Sequence, residues 1–366
     1  MAQDFVTDVL LCGDCVDIMD SFPADCVDLI ICDPPYNLQV KNNLIRSDNG
    51  KKFNGVDDKW DDYPSFVAYD MFVQRLLNST NHVLKPDGTI MIMGMYHNIF
   101  RIGTILQNMG YWILNDIIWE KTNPTPNFNG SRLCNSHETI IWASKSKKSK
   151  YFFNYHLLKH LNNGKQPRSD WTLPICSGKE RILKEDGTKA HSTQKPLELM
   201  QKLVIMATRE NDIVLDPMCG TGTALVASKM YNRQYVGIDI DPYSISISEK
   251  RLQDARVDKD FLDLEKYIHS LHKKLCVRFE KIVADGKVNI GTQLRFHISP
   301  EKPIDKYAIV ESDGIKYNGE IMSIHKAAKM ILNRESANGW KHWYFNDTER
   351  GYICIDDLRK EYNHDI

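Results

Sequence analysis

Short apolar runs alternate with stretches of helical period through the first third of the chain, the pattern of strands joined by crossover helices in a parallel sheet. Asp28 to Cys32 (DLIIC) and Thr89 to Met93 (TIMIM) are its clearest strands. Ile113 to Trp119 (ILNDIIW) and Glu138 to Trp142 (ETIIW) supply two more, joined by a segment rich in Pro and Asn. Asn37 to Pro64 fits neither period and is long for a loop inside a compact domain, which marks it as functional or disordered. After a polar, basic stretch over 145–190 the apolar runs resume. Ile213 to Asp216 (IVLD), a helix opening at Thr223, and Tyr235 to Asp239 (YVGID) form a further βαβ unit. Asp241 and Pro242 then supply a cap and a first-turn proline for a helix running towards Leu252. Past about residue 260 the pattern changes. A lysine-bearing connector, Lys266 to Lys274, leads into short β-like runs and one helix around Ser323 to Leu332. The expected division is a main domain over 1–259 and an appended domain over 260–366.

A length of 366 residues fits that division, since single cores stop growing near roughly 250 to 300 residues. Apolar residues at 42% and charged residues at 26% exclude a mainly disordered chain. A formal net charge of −1 excludes holding a polyanion by bulk charge, so any nucleic-acid site is a local basic patch. The start, MAQDFVTDVL, does not fit an export signal, and no apolar run reaches the length of a membrane span. A cytoplasmic location with no membrane partner is expected. The nine cysteines read as reduced thiols. Cys12 and Cys15 have redox or metal spacing but no second pair and no His cluster nearby, so they read as small, mostly buried residues at a strand end, and no metal is expected.

Asp33-Pro34-Pro35-Tyr36 follows directly on DLIIC, at the C-terminal end of a strand, where open α/β folds place their ligands. The two prolines fix the backbone and remove two N–H donors, leaving the Asp33 carboxylate and carbonyl oxygens as acceptors. Acceptors without donors suit an amino group. The exocyclic amine of adenine is a poor nucleophile because its lone pair is delocalised into the ring. Accepting both its hydrogens, by Asp33 and the Pro34 carbonyl, favours a pyramidal nitrogen whose lone pair faces an incoming methyl. Tyr36 offers an aromatic face to a base taken out of the duplex. A plain proline-rich turn would account for Pro34 and Pro35 but not for Asp33 and Tyr36.

A second motif, Asp216-Pro217-Met218-Cys219-Gly220-Thr221-Gly222-Thr223, follows the strand IVL and opens a helix. Its glycines allow a tight turn and close approach of a ligand to backbone. Gly237-Ile238-Asp239 ends the next strand, the spacing at which a carboxylate reaches ribose hydroxyls. The third glycine of dinucleotide sites is absent, which makes NAD the lesser reading.

With these motifs in this order, the chain resembles the amino-methylating DNA methyltransferases of the β order, in which DPPY precedes the cofactor motif. The resemblance extends to Gly13-Asp14-Cys15, to His191-Ser192-Thr193-Gln194-Lys195-Pro196, and to KTNPTPNFNGSRLCNSHET over 121–139. That last stretch is similar to the HinfI-type and cell-cycle-regulated adenine methyltransferases. The resemblance implies a doubly wound, mostly parallel, Rossmann-like sheet with a small C-terminal α+β domain. The DPPY and IVLDP strands are then expected side by side at the topological switch point. It implies S-adenosylmethionine as cofactor, double-stranded DNA as substrate, GANTC as target, and direct transfer to adenine N6 after base flipping. Asp14 and Cys15 are then expected at the adenine end of the cofactor, Asp239 at the ribose, and Asp33 with the turn Asp216 to Thr223 at the methionine end. His191, Ser192, Thr193 and Lys195 are expected to close the pocket. Met218 stands where the family usually has Phe.

The resemblance also implies a target-recognition segment over about 121–190, with DNA contacts at Lys121, Asn123, Pro124, Asn127, Arg132 and Asn135. Lys145 to Lys150 stays open between a solvated face and a phosphate site. Ser323-Ile324-His325-Lys326 and Asn338-Gly339-Trp340 resemble the small domain appended to restriction-associated adenine methylases. Trp340, Trp343, Tyr344 and Phe345 read as that domain's core, and a DNA clamp as its role. A second copy of the chain, a cognate restriction endonuclease and a place on the nucleoid come with the resemblance. The rivals are methylation of cytosine N4, disfavoured by Asp rather than Ser before the prolines, methylation of RNA or a protein amide, and a silent methylase-like DNA-binding regulator. The regulator would be expected to lose either the acceptors or the glycine turn, and both are intact.

Overall fold

The computed structural model describes residues 5–37, 44–45, 52–53, 61–127, 130–271, 277–347 and 350–361. The chain divides into two compact units, Met1–Leu271 and His272–Ile366. The strands of the first are β1 (Val9–Cys12), β2 (Val27–Cys32), β3 (Leu44–Ile45), β4 (Lys52–Phe53), β5 (Leu84–Gly94), β6 (Trp112–Lys121), β7 (His137–Ser144), β8 (Asp170–Leu173), β9 (Ile213–Asp216) and β10 (Gln234–Asp239). Its helices are α1 (Cys15–Asp20), α2 (Phe66–Val83), α3 (Ile99–Asn108), α4 (Tyr155–Leu161), α5 (Leu197–Ala207), α6 (Thr223–Met230), α7 (Pro242–Asp254) and α8 (Lys259–Leu271).

Eight strands form one sheet in the order β1-β10-β9-β2-β5-β7-β6-β8. All neighbours pair in parallel except β7, which runs against both β5 and β6. The central strands are apolar on both faces because helices cover both. Ile30, Cys32, Ile90 and Ile92 pack with α1, α2 and α3 through Met19, Tyr69, Leu76 and Ile102. Leu29, Ile31, Met91 and Met93 pack on the opposite face with α5 and α6 through Leu199, Leu203 and Ala224. Each fully buried aliphatic contributes about 1.5–3 kcal/mol relative to exposure, so these runs hold the sheet as well as defining it. β2 and β9 are neighbours, with Leu29 opposite Val214 and Ile30 opposite Leu215. From β9 the chain crosses by α6 to β10 on one side, and from β2 by α2 to β5 on the other. The two motif strands therefore meet at the switch point, as expected.

Three expectations are corrected. The boundary at 259/260 cuts α8 from the unit it belongs to, because Glu265 of α8 is buried in a pair with Arg233, Nη2 to Oε1 at 2.8 Å. The connector from Lys266 is helical as far as Leu271, and residues 272–274 lie outside the described residues. Cys12 is exposed while Cys15 is buried, since the chain turns inward only at α1. Of the segment Asn37 to Pro64, residues 38–43, 46–51 and 54–60 lie outside the described residues; β3 and β4 form an antiparallel pair.

The second unit holds β11 (Gln293–Ser299), β12 (Lys302–Glu311), β13 (Gly314–Tyr317), β14 (Glu320–Met322), β15 (Trp343–Asp347) and β16 (Gly351–Cys354), with α9 (Phe279–Ala284), α10 (Ile324–Leu332) and α11 (Ile355–Glu361). The strands form one antiparallel sheet in the order β14-β13-β12-β11-β15-β16. Ser323 caps α10 by accepting from the Lys326 N–H. Trp340, Trp343 and Phe345 lie in the core, whereas Tyr344 turns to the other face and stacks on His297 with ring centroids 3.9 Å apart. Among the described residues, no helix is long and apolar enough to cross a membrane.

Candidate active site

Asp33 leaves the sheet directly after β2, and its carboxylate holds two donors. Tyr36 donates its hydroxyl to Oδ1 at 2.8 Å, and Lys195 donates to Oδ2 at 2.5 Å. The Lys195 ammonium also lies 5.1 Å from the centroid of the Tyr36 ring. The turn is fastened from behind by a buried chain in which Asn98 donates to the Tyr69 hydroxyl at 2.9 Å and Tyr69 donates to the Pro35 carbonyl at 2.9 Å. The Pro35 carbonyl is thereby engaged inside the protein, whereas the Pro34 carbonyl has no hydrogen bond among the described residues. Tyr36 is itself buried, with 8% of its surface exposed, so its expected role as an open stacking face needs the site to rearrange.

A residue the motifs did not reveal joins this cluster. Glu138 is the second residue of β7, and because β7 runs antiparallel its first residues arrive at the same edge as the end of β2. Glu138 Oε2 accepts from the Tyr36 hydroxyl at 3.0 Å and lies 3.7 Å from Lys195 Nζ, while Oε1 pairs with Lys121 Nζ at 2.7 Å. Burial would push the Glu138 carboxyl up, but Lys195, Lys121 and the Tyr36 hydroxyl together hold it below the ordinary carboxylate range. Burial likewise opposes the charge on Lys195, and Asp33 and Glu138 outweigh it, so the ammonium is held more firmly than usual. Burial, with Asp33 and Glu138 beside it, pushes the Tyr36 phenol well up, so it stays a proton donor.

The glycine turn lies between β9 and α6. Gly220 and Gly222 have φ of +52° and +71°, the left-handed region that favours glycine. A side chain at Gly222 would also stand 2.8 Å from Ser248 Oγ. Ser248 donates to the Gly220 carbonyl at 2.9 Å and Arg251 to the Thr221 carbonyl at 2.6 Å, so α7 holds the turn by two contacts that no motif announced. Asp239, ending β10, accepts from the Gly220 N–H at 2.7 Å and the Asp241 N–H at 2.9 Å. Asp14 caps α1 through Oδ1, which accepts from Val16 N–H at 2.8 Å; Oδ2 has no partner among the described residues. Burial pushes the Cys15 thiol up to about 12, which keeps it protonated and inert. Burial, then repulsion from Asp33 and Asp239, pushes the Asp216 carboxyl well above its usual range.

The two motifs share one cleft. Asp33, His191, Thr193 and Lys195 form one part of its lining and Asp216, Met218, Cys219, Thr221 and Thr223 the other. Gly220 contributes to the same wall, since a Cβ there would lie 3.2 Å from His191 Nε2. Pro217 is buried beside Asp216, and Ser192 is half-buried between His191 and Thr193. Asp14 and Cys15 are set beside Asp239, since Cys12 pairs with Asp239 across β1 and β10.

The expected DNA contacts separate into three groups. Lys121 is turned inward onto Glu138, and Asn123 spends its carbonyl oxygen on the Ile175 N–H at 2.8 Å. Pro124, Asn127 and Asn135 are half-buried. Arg132 is exposed, its guanidinium 5.3 Å from the Tyr96 ring, and the adjacent Leu133 is 92% exposed. Lys145 bonds Asp25 and the Leu84 carbonyl, both at 2.6 Å, and follows the end of β7, at the edge of the sheet opposite Asp33. The antiparallel course of β7 thus favours an anchoring role for Lys145.

The family described as DNA methylase matches residues 27–250. The chain is 42% identical over 363 residues to type II methyltransferase M.HinfI of Haemophilus influenzae, covering 99% of this chain and 98% of that protein. It is 37% identical over 246 residues to type II methyltransferase M2.LlaDCHI of Lactococcus lactis subsp. cremoris, covering 67% and 88%. Among solved structures, the PvuII DNA methyltransferase, described as cytosine-N4-specific, superposes with a TM-score of 0.52 at 18% identity over 73% of this chain and 94% of that one, a likeness of fold. Matched by the family model over more than half its length, and by a type II methyltransferase from end to end of both chains, the protein belongs to the DNA methylases.

Proposed function

We propose that the protein transfers a methyl group from S-adenosylmethionine to the N6 amine of adenine in double-stranded DNA, at GANTC, after the base has left the duplex. The single observation that carries this reading is the cleft in which the Asp33 carboxylate and the β9–α6 glycine turn face each other. The residues present fit the cofactor: Asp14 and Asp239 keep acceptor capacity for ribose and adenine-end donors, and Gly220 and Gly222 let a ligand reach the backbone. Bound there, the cofactor supplies an electrophilic methyl group. Asp33 and the Pro34 carbonyl accept the two hydrogens of the amine, and Pro35, held by Tyr69, fixes their geometry. Positioning and electrostatics then supply the rate.

Adenine is preferred to cytosine because Asp stands before the two prolines, as in the adenine methylases the motif resembles. The target rests on the likeness of residues 121–139 to HinfI-type enzymes. Asn123, Pro124, Asn127, Arg132 and Asn135 remain candidates for DNA contact, and the second unit for a clamp. The same reading carries a homodimer and a cognate restriction endonuclease as further partners. The test is methylation of duplexes with and without GANTC, followed by nucleoside analysis. N6-methyladenine confined to the GANTC duplex is expected. N4-methylcytosine would replace the substrate assignment, and no methylated base in any duplex would refute the activity.

A further inference from the structure

Both oxygens of Asp33 are engaged, Oδ1 by the Tyr36 hydroxyl and Oδ2 by the Lys195 ammonium. An amine that is to be gripped by Asp33 has to displace or share those donors. A donor displaced inside a buried site without a new acceptor bears its full desolvation cost. Glu138 stands where both donors can go, with Oε2 at 3.0 Å from the Tyr36 hydroxyl and 3.7 Å from Lys195 Nζ. Its other oxygen is anchored by Lys121 at 2.7 Å, and only 8% of the residue is exposed. Two carboxylates and two ammonium groups balance, so moving the donors from Asp33 to Glu138 changes neither the net charge nor any protonation state. A phenol has one hydrogen, and at present the Tyr36 hydroxyl lies within bonding distance of both carboxylates, so the transfer needs only a small rotation.

We propose that Glu138 is a positioning residue that takes over the Tyr36 hydroxyl and the Lys195 ammonium as the target amine occupies Asp33. The proposal rests on Asp33 as the acceptor of the amine. Lys121 and Glu138 also flank the segment 122–137, so the relay sits at the neck of the loop offered to DNA.

Glu138→Gln keeps the shape and removes the charge; Glu138→Asp keeps the charge and withdraws it by one methylene. In the full chain, both should bind S-adenosylmethionine within about twofold of the parent by calorimetry yet methylate a GANTC duplex at least about tenfold more slowly in single turnover, the scale of one hydrogen bond to a charged group. In a Tyr36→Phe background, the Glu138→Gln penalty should shrink at least about threefold, because one of the two donors is gone. The relay is overturned if either variant methylates at the parent's rate, if rate and cofactor affinity fall together, or if the penalty is undiminished in Tyr36→Phe. Should Asp33→Ala methylate as fast as the parent, the amine-acceptor reading fails, an outcome that does not involve Glu138.

Discussion

Ending the chain at Asp258 removes α8 and leaves Arg233 inside the protein without its carboxylate. Arg233 donates to both Glu265 oxygens, at 2.8 and 3.0 Å, and to the Thr208 and Tyr231 carbonyls; its side chain has no exposed surface. Asn154 also gives Glu265 a hydrogen bond at 2.8 Å. Stranding one partner of such a pair costs about 3–5 kcal/mol. Leu262 and Ile268, buried to 7% and 3% exposure, are lost with the helix, at roughly 1.5–3 kcal/mol each. Phe261, whose ring lies tilted against Tyr231 with centroids 4.3 Å apart, goes too. Together these amount to about 6–11 kcal/mol, against about 5–15 kcal/mol for a whole domain. A chain ending at Asp258 should therefore be unfolded or melt more than about 10 °C below the parent, at roughly 2–4 °C per kcal/mol. A chain ending at Leu271 should fold. Circular dichroism melts of both chains check this, and equal melting of the two would refute the buried-pair argument.

The chain ending at Leu271 should also keep its affinity for S-adenosylmethionine while losing duplex affinity at matched salt, since the cleft lies wholly in the first unit; full duplex affinity in titration would make the second unit something other than a clamp. Gly222→Ala should cost about 2–3 kcal/mol, from a left-handed backbone and the push against Ser248, and weaken cofactor binding measured by calorimetry; pairing it with Ser248→Ala should give less than the sum of the two. Asp216→Asn should raise the melting temperature at neutral pH. The wild-type carboxyl is pushed up in the fold, so its cost is present above the unfolded pKa of about 3.9 and vanishes below it; an advantage for Asn that persisted unchanged to pH 3 would contradict this.

The local code of the chain determined where strands lie and where two motifs end them. DLIIC and IVLD are apolar on both faces, and a run of that kind is stable only between two helical layers, so a central parallel strand could be read from the residues. The glycine turn was legible for a related reason, because positive φ at Gly220 and Gly222 is a property of single residues. Asp33 and the turn were accordingly found before any fold, and the HSTQKP segment by its resemblance to the family. Tertiary structure alone decided the rest. Glu138 reads as one charged residue opening a strand, and only the reversed direction of β7 carries it to Tyr36, whereas the same strand laid parallel would put it at the far edge. Lys121 was expected among the DNA contacts by resemblance, and only the fold brings it onto Glu138, 17 residues on, across a hairpin neck. Glu265 carries no local signal that sets it apart from its neighbours, and only the fold places it inside with Arg233. Periodicity reports the face a residue shares with its near neighbours. The sign and distance of a charge that arrives from a hundred residues away depend on strand order and direction, which no local pattern encodes.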